Sequence, residues 1–311
     1  MKHSQPKNKT YSAFFNYLEY VFMRLSIGMI KFLPLELAYK LGEKIGWICW
    51  KFMTSRRITV ENNLSIAWRW ISIQGNLEHN PINSLSVGVA TREVFCRNAA
   101  NLLSSFSFSA LTIKKRVPLI EFENLEVLKA AVDRGEGVVL LMAHMGPWEL
   151  ISCFPGHFEQ LGITARLGVI YRPLENGYIE KWYRSQRKIH GMELFKRKAG
   201  LLEVFKFIKK GEILAVLADQ RVSNGEMSEF FGKPALTSPL VGLLTKKSSA
   251  PVVSLTLKYD KTCKLKAAFR LVNFEGSETR EEYAKITNQE LEWVISSDVT
   301  NGFWFHRRFE I

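Results

Sequence analysis

Gly137-Val-Val-Leu-Leu-Met-Ala-His144-Met-Gly-Pro-Trp-Glu149 is an unbroken apolar run that leads into a turn carrying a histidine and, five residues later, an acid. The run predicts a buried parallel strand, and Pro147 is suited to the first turn of a helix. His144 would therefore lie at the carboxyl end of the strand, where open α/β sheets bind their ligands. Glu149 would orient the imidazole, and a histidine with a carboxylate partner can act as a general base on a hydroxyl or water.

The same pair also has less specific interpretations. A strand-end histidine can simply bond to the backbone, and a histidine followed five residues later by an acid occurs by chance in many chains. A zinc site is a poorer interpretation, because metalloprotease helices carry two histidines around the glutamate and this stretch has one. We therefore expect no metal, and the rest of the chain has to distinguish a catalytic histidine from a structural one.

The composition predicts an anionic partner at a membrane. The chain has 311 residues, 47% of them hydrophobic, which is enough for a full core. Its net charge of +13 favours attraction to nucleic acid, to an anionic membrane surface or to a phosphorylated substrate. The eight tryptophans and 12% aromatic content favour a membrane, so no nucleic acid partner is expected. The four cysteines lie far apart without a CxxC pair, which favours a reducing compartment.

The N-terminal region, residues 1–55, is predicted to form amphipathic helices that anchor the chain to a membrane. One helix face collects Tyr11, Phe15, Leu18, Phe22, Leu25, Met29 and Phe32. Glu19, Arg24 and Lys31 interrupt this segment, so it is interfacial or marginally spanning. Pro34 ends it and opens a second helix with a similar stripe. The alternative is a soluble helical hairpin packed on the core, but the apolar surface of both helices is wider than a narrow stripe and favours the membrane.

Residues 56–117 are predicted to be a helical scaffold with a loop at residues 75–81, and residues 118–311 to be an α/β catalytic domain. In the second region helical and strand patterns alternate, which argues for a mostly parallel sheet flanked by helices. Predicted strands cover residues 138–143, 165–170, 213–218, 252–257 and 266–272, and predicted helices cover residues 125–134, 148–161, 178–189, 201–210, 239–247 and 280–295.

Polar clusters directly follow three of the predicted strands. They are His144, Tyr171-Arg172-Pro173 and Asp219-Gln220-Arg221. Because the carboxyl ends of parallel strands share one edge of a sheet, we expect the three clusters to meet there. Core packing does not explain polar residues in these positions, so the pattern favours a functional site.

These residues carry a resemblance to a known family. His144-Met-Gly-Pro-Trp-Glu149 resembles the HX4(D/E) signature of glycerolipid-type acyltransferases. The wider set resembles the late acyltransferases of lipid A biosynthesis, the lauroyl and myristoyl transferases of Gram-negative bacteria. That set comprises Arg56-Arg-Ile-Thr-Val-Glu-Asn-Asn-Leu64, Ile170-Tyr-Arg-Pro-Leu-Glu-Asn176, Ala218-Asp-Gln220, Phe230-Phe-Gly-Lys-Pro-Ala-Leu-Thr237 and Phe303-Trp-Phe-His-Arg-Arg-Phe309. Met145, Pro147 and Arg221 depart from the residues usual in the family, which could alter the acceptor pocket.

The resemblance implies a glycerolipid-acyltransferase-like fold and an O-acyl transfer that needs no cofactor. His144 would deprotonate a hydroxyl of a membrane glycolipid, and the oxygen would attack an acyl thioester on acyl carrier protein or coenzyme A. Glu149 would hold the imidazole ring, and Arg172 with backbone N–H groups near Gly146 would stabilise the oxyanion. Arg172 could equally grip a substrate phosphate, because its fork of donors suits phosphate oxygens.

Further residues are expected to contact the substrates: Tyr171, Asp219, Gln220, Arg184 and Arg187. Asp219 would position Arg172 or a neighbouring loop, or cap its own strand. Arg184 and Arg187 belong to a basic stretch that would receive acyl carrier protein or lipid phosphates, unless this stretch is a solvated helix face.

The resemblance also implies a lipid A precursor as acceptor and the cytoplasmic face of the inner membrane, where thioester donors are available. Two other functions stay open. One is acyl transfer to another glycolipid or a lysophospholipid, and the other is lipid binding by a catalytically inactive relative. The intact His144 and Glu149 argue against the inactive relative.

Overall fold

The computed structural model describes residues 9–74, 86–197, 201–260 and 262–310. Its helices are α1 (Lys9–Lys31), α2 (Leu35–Phe52), α3 (Thr54–Ile73), α4 (Val87–Ala110), α5 (Ile113–Arg116), α6 (Leu125–Asp133), α7 (Phe154–Gln160), α8 (Gly177–Ile189), α9 (Leu201–Ile208), α10 (Leu240–Ser248) and α11 (Arg280–Ser296). Its strands are β1 (Ile120–Glu123), β2 (Val138–Met142), β3 (Leu167–Tyr171), β4 (Glu193–Lys196), β5 (Ile213–Leu217), β6 (Glu226–Phe230), β7 (Lys233–Thr237), β8 (Val252–Tyr259) and β9 (Leu265–Val272). The loop predicted at residues 75–81 lies outside the described residues.

One large sheet runs through the structure, in the strand order β1-β9-β8-β2-β5-β3-β4. Its neighbouring strands are parallel except for β8 and β9, which are antiparallel. Strands β6 and β7 form a separate antiparallel hairpin. The predicted fold class, a mostly parallel α/β sheet flanked by helices, is confirmed.

The central strand β2 is buried on both faces of the sheet. Val139 and Leu141 pack on one face with residues of α3, α4, α10 and α11. Val138 and Leu140 pack on the other face with residues of α6 and α7. A strand covered by helices on both sides has no solvated face, which is why its sequence is a continuous apolar run rather than an alternating pattern.

One predicted helix is divided in the structure. Residues 148–161 form a 3₁₀ turn at Trp148–Cys153 and then α7. Pro155 lacks an N–H and cannot bond to the carbonyl four residues earlier, so an α-helix cannot run through it, but it is tolerated in the first turn of α7. The prediction of one continuous helix is therefore wrong.

Helix α2 buries small residues and exposes large ones. Its buried residues are Ala38, Gly42 and Gly46, and a Cβ at either glycine would collide with the backbone of α4. The exposed large apolar residues of α1 and α2 are Phe14, Phe15, Tyr17, Leu18, Phe22, Leu25, Met29, Leu37, Leu41, Ile45, Trp47, Ile48 and Phe52. None of the described helices combines the length and apolar character needed to cross a membrane.

Helix α1 places polar groups against the protein. Asn176, which caps α8, donates to the Asn16 carbonyl at 2.8 Å and to the Glu19 carboxylate at 2.9 Å. Lys31 donates to the Gln186 side chain at 3.1 Å. Because most of its large apolar side chains are exposed, α1 does not fit a helical hairpin that buries its apolar stripe in the core.

Candidate active site

The carboxyl ends of β2 and β5 bring His144 and Asp219 together. The strands are parallel neighbours whose last registered pair is Met142 with Leu217, so each polar side chain follows its strand at the same height. Adjacent strands lie about 4.8 Å apart, which allows side chains at equal height to bond. His144 Nδ1 and Asp219 Oδ1 are 2.7 Å apart.

The Asp219 carboxylate sets which nitrogen of His144 carries the hydrogen. Burial acts to raise the pKa of Asp219, but the charge of His144 and its hydrogen bond to the carboxylate hold that pKa below its ordinary value. An ionised carboxylate only accepts hydrogen bonds, so Nδ1 of His144 donates, and in the neutral imidazole Nε2 then carries the lone pair. The His144 side chain is 21% exposed and the Asp219 side chain 7%, so the imidazole is accessible while its partner is shielded from water.

Glu149 does not orient His144. Its carboxylate accepts hydrogen bonds from one nitrogen of Arg187 at 3.0 and 3.3 Å, and this nitrogen lies 3.0 Å from the Tyr183 hydroxyl. Burial and the Glu149 carboxylate raise the pKa of Tyr183 well above its ordinary value, so its hydroxyl stays protonated. The prediction that Glu149 holds the imidazole is wrong, because the 3₁₀ turn at Trp148–Cys153 places this carboxylate beside α8. A part for Glu149 in the reaction stays a prediction.

Asp219 contacts a neighbouring loop. It was expected to position Arg172 or a neighbouring loop, or to cap its own strand, and its carboxylate contacts His144 in the loop that follows β2. The pairing depends on β2 and β5 being neighbours, although they are separated in sequence by β3 and β4.

His144 lies in the wall of a cavity of about 360 Å³ at the carboxyl ends of β3 and β5. Its polar lining includes His144, Glu149, Tyr171, Arg172, Arg187, Arg197, Gln220 and Arg221. Its apolar lining includes Val169, Ile170, Leu174, Val216, Leu217, Leu240 and Val241. Arg184 lies on α8 but does not line this cavity. Within the described ranges, no group of three or more His, Cys, Asp or Glu side chains could hold a metal ion.

The predicted residues Tyr171, Arg172, Gln220 and Arg187 are thus together at the cavity. The Tyr171 hydroxyl donates to the Glu180 carboxylate at 2.9 Å, which anchors it to α8. The expectation that three polar clusters meet at one edge of the sheet is confirmed.

Gly146 has a structural role in the backbone of the loop that carries His144. Its φ of +58° lies in the left-handed region, and a Cβ there would collide with the Leu257 carbonyl of β8. Its N–H donates to the Asn301 carbonyl at 3.0 Å, so this N–H is already used. The prediction that the Gly146 N–H stabilises an oxyanion is therefore wrong, and a substrate contact at Gly146 stays a prediction.

We expect Gly146→Ala to lower the free energy of unfolding by more than about 2 kcal/mol. A left-handed alanine costs about 1–2 kcal/mol, and the collision with Leu257 adds to this. Denaturant unfolding in detergent measures the effect. Gly88→Ala is the matched control, because nothing lies within 4 Å of a Cβ at that position. Equal stability of the Gly146 variant and the unmodified protein would contradict the prediction.

Two aromatic rings flank the His144 imidazole. The ring centroids of Trp148 and Phe303 lie 5.6 and 6.2 Å from it. The Phe303 N–H donates to the His144 carbonyl at 2.8 Å, and Met145 pairs with Gly302 in a short antiparallel bridge. The C-terminal segment therefore fixes the loop that carries the histidine.

Buried asparagines of α3 and α4 hold this C-terminal segment. Asn63 donates to the Trp304 carbonyl at 2.8 Å, and Asn98 donates to the Gly302 carbonyl at 3.1 Å. Sequence analysis predicts only a scaffold here and misses this role, because a helical asparagine does not show which distant carbonyl it will meet. The sequence signals were the resemblances of residues 56–64, which include Asn63, and of residues 303–309 to family blocks.

Comparison with known proteins adds an independent finding to this geometry. The chain has no match among curated proteins. Residues 2–310 match the family model of the bacterial lipid A biosynthesis acyltransferases. Because the match covers nearly the whole chain, including His144 and Asp219, the protein belongs to the bacterial lipid A biosynthesis acyltransferase family.

Proposed function

We propose that this acyltransferase moves an acyl chain from the thioester of acyl carrier protein to a hydroxyl of a lipid A precursor. Family membership supports acyl transfer in lipid A synthesis. The finer assignment depends on the 2.7 Å contact between His144 and Asp219, because it leaves Nε2 of an oriented imidazole as a general base at a cavity.

The reaction needs one proton to leave the acceptor and one to reach the donor. Nε2 of His144 takes the hydroxyl proton as the oxygen attacks the thioester carbonyl carbon. The tetrahedral intermediate collapses, the carbon–sulfur bond breaks, and the departing sulfur receives the proton from the imidazolium. Asp219 stabilises the imidazolium between the two proton transfers. Because His144 carries out both transfers, the proposed reaction needs no cofactor.

Product formation tests the proposal directly. Detergent-solubilised protein is incubated with a phosphorylated glycolipid acceptor and with an acyl thioester of either acyl carrier protein or coenzyme A. Mass spectrometry then measures the masses of the lipid products. We expect one added acyl chain and a faster reaction with acyl carrier protein. A folded protein that acylates nothing with either donor would refute the proposal.

Arg172 is proposed to bind the developing oxyanion or a substrate phosphate. It follows β3 directly, is exposed and lines the cavity. We expect Arg172→Lys to lower kcat/KM about ten- to hundredfold, because lysine cannot reproduce the planar pair of donors. A fall in kcat would indicate the oxyanion, and a rise in KM would indicate substrate binding.

Steady-state kinetics decide between these roles. Arg134→Lys is the control, because Arg134 lies outside the cavity and pairs with Glu136 at 2.8 Å. Unchanged kcat and KM in Arg172→Lys would remove Arg172 from the site.

We further propose that α1 and α2 attach the protein to the cytoplasmic face of the inner membrane. Their exposed apolar side chains form the outward surface described above, and a large exposed apolar patch is typical of a membrane or protein contact. The protein would lie in the interface, with the cavity close to lipid acceptors.

The double variant Phe22→Ser/Met29→Ser should bind vesicles of phosphatidylethanolamine and phosphatidylglycerol about a hundredfold more weakly. Both side chains are exposed, at 75% and 66%, and burying each contributes about 1.5–3 kcal/mol. Vesicle sedimentation measures the partition. Leu271→Ser, at a 59% exposed position on β9, is the control. Equal partition of the double variant and the unmodified protein would refute attachment through α1.

A further inference from the structure

A second cavity, of about 640 Å³, lies next to the first. Its lining includes Met53, Arg56, Phe303, Phe305, His306 and Arg307. Arg221 and Val222 line both cavities. Phe303 forms part of the second cavity and lies against the His144 ring. A ligand in the second cavity would therefore be adjacent to the catalytic base.

The second cavity is strongly basic. Arg56, Arg221 and Arg307 line it, and the one carboxylate among its described lining residues is Glu310, which pairs with Arg307 at 3.2 Å. Arg56 donates to the Phe305 carbonyl at 3.3 Å, a neutral partner that leaves its charge uncompensated. Among the described residues, neither Arg56 nor Arg221 belongs to an ion pair. The cavity thus carries excess positive charge.

The position of Arg56 in its helix adds to the positive electrostatic potential of the second cavity. Arg56 and Arg57 lie in the first turn of α3, and that turn has no acidic residue. A helix N-terminus carries partial positive charge and is stabilised by anions rather than cations. The two arginines add positive charge to this end of α3, which a bound anion would compensate.

The surroundings of the cavity favour an anion that belongs to a lipid. Met53 and the neighbouring Phe52 are 45% and 75% exposed and continue the apolar surface of α2 to the cavity rim. Phe303 and Phe305 contribute aromatic surface, with ring centroids 5.1 Å apart. The volume also falls within the range of about 300–1,000 Å³ that is typical of small-ligand pockets. A charged headgroup on an apolar body fits these features better than a protein surface does.

We propose that the second cavity binds a phosphate group of the lipid acceptor, with Arg56 and Arg307 as its recognition residues. Guanidinium groups match phosphate oxygens in shape and charge. The bound phosphate holds the headgroup so that a hydroxyl reaches His144, while the acyl thioester occupies the first cavity. This assignment rests on the proposed function for its catalytic meaning, but the binding itself can be measured without turnover.

Equilibrium binding in detergent micelles without any acyl donor tests the site. The probes are an acylated glucosamine 1-phosphate and the same glycolipid after enzymatic removal of its phosphate. We expect Arg56→Ala and Arg307→Ala each to raise the Kd of the phosphorylated probe about ten- to hundredfold, with no change for the phosphate-free probe. Because no donor is present, failure of the product assay and failure of this binding result are separate outcomes.

Arg69→Ala is the matched control. Arg69 is exposed on the same helix, about 20 Å further along its axis, so its loss removes the same charge from α3 without touching the cavity. Arg56→Lys and Arg307→Lys keep the charge and should give intermediate Kd values. They test the site even if an alanine variant fails to fold.

Three outcomes would overturn the proposal. The first is an equal change in Kd for the phosphorylated and phosphate-free probes. The second is found if Arg56→Ala and Arg307→Ala raise the KM for the acyl-carrier-protein donor but not the KM for the acceptor, which would assign the cavity to the donor. The third is an equal loss of binding to the probe and to phosphatidylglycerol vesicles, which would indicate general attraction to anionic lipid.

Discussion

His144→Ala is expected to lower the rate constant of acyl transfer about 10²–10⁴-fold or more, with the fold preserved. The structure gives the physical reason. The imidazole is held at 2.7 Å by Asp219 through Nδ1, and in the proposed mechanism Nε2 takes the acceptor proton. Without the ring, the hydroxyl has to attack while it still carries its proton.

Steady-state kinetics with the acyl-carrier-protein donor measure this loss, and thermal unfolding shows whether the variant is folded. His144→Gln should lose a similar factor while filling more of the space between Trp148 and Phe303. His190→Ala, at a partly exposed position directly after α8 and outside the cavity that contains His144, is the control. Near-normal turnover in a folded His144 variant would end the general-base mechanism.

Asp219→Asn should produce the second large loss, about 10²–10⁴-fold in kcat. The substitution keeps the size of the side chain but removes the charge that stabilises the imidazolium. The amide can also turn its NH₂ group toward Nδ1, which would place the ring hydrogen on Nε2 and abolish the base. The near-complete burial of Asp219 leaves little water to replace the lost charge.

Glu149→Gln provides the comparison that separates the two carboxylates. The glutamine can still accept from Arg187, and it does not change the partner of His144. We therefore expect its kcat to fall less than that of Asp219→Asn. If the Glu149 variant loses more than the Asp219 variant, the assignment of the histidine partner from this structure is wrong.

The fold was predictable where packing demands a clear pattern. The central strand β2 is buried on both faces, so its five residues are all apolar and stand out in the sequence. Strands β1 and β4 were not predicted, because each has four residues and partial exposure weakens the pattern. The hairpin of β6 and β7 was missed for a similar reason, since much of it is exposed.

The candidate site was predictable only as a set of residues. His144, Arg172 and Asp219 each follow an apolar strand, and parallel strands end at a common edge. Which of them touch depends on the strand order, and a single sequence does not encode that order in a readable way. The nearer carboxylate in sequence, Glu149, was therefore assigned to His144 in place of Asp219.

The sequence by itself determined the α/β class, the position of His144 at the end of β2, the amphipathic pattern of α1 and α2 and the family resemblance, because these depend on local pattern and side-chain chemistry. Only the tertiary structure decided that Asp219 bonds to His144, that Arg187 pairs with Glu149, and that the Phe303 ring lies beside the imidazole. These contacts join residues distant in the chain. They follow from the placement of β5 beside β2 and from the return of the C-terminal segment to the active site, which are set by the packing of the whole core.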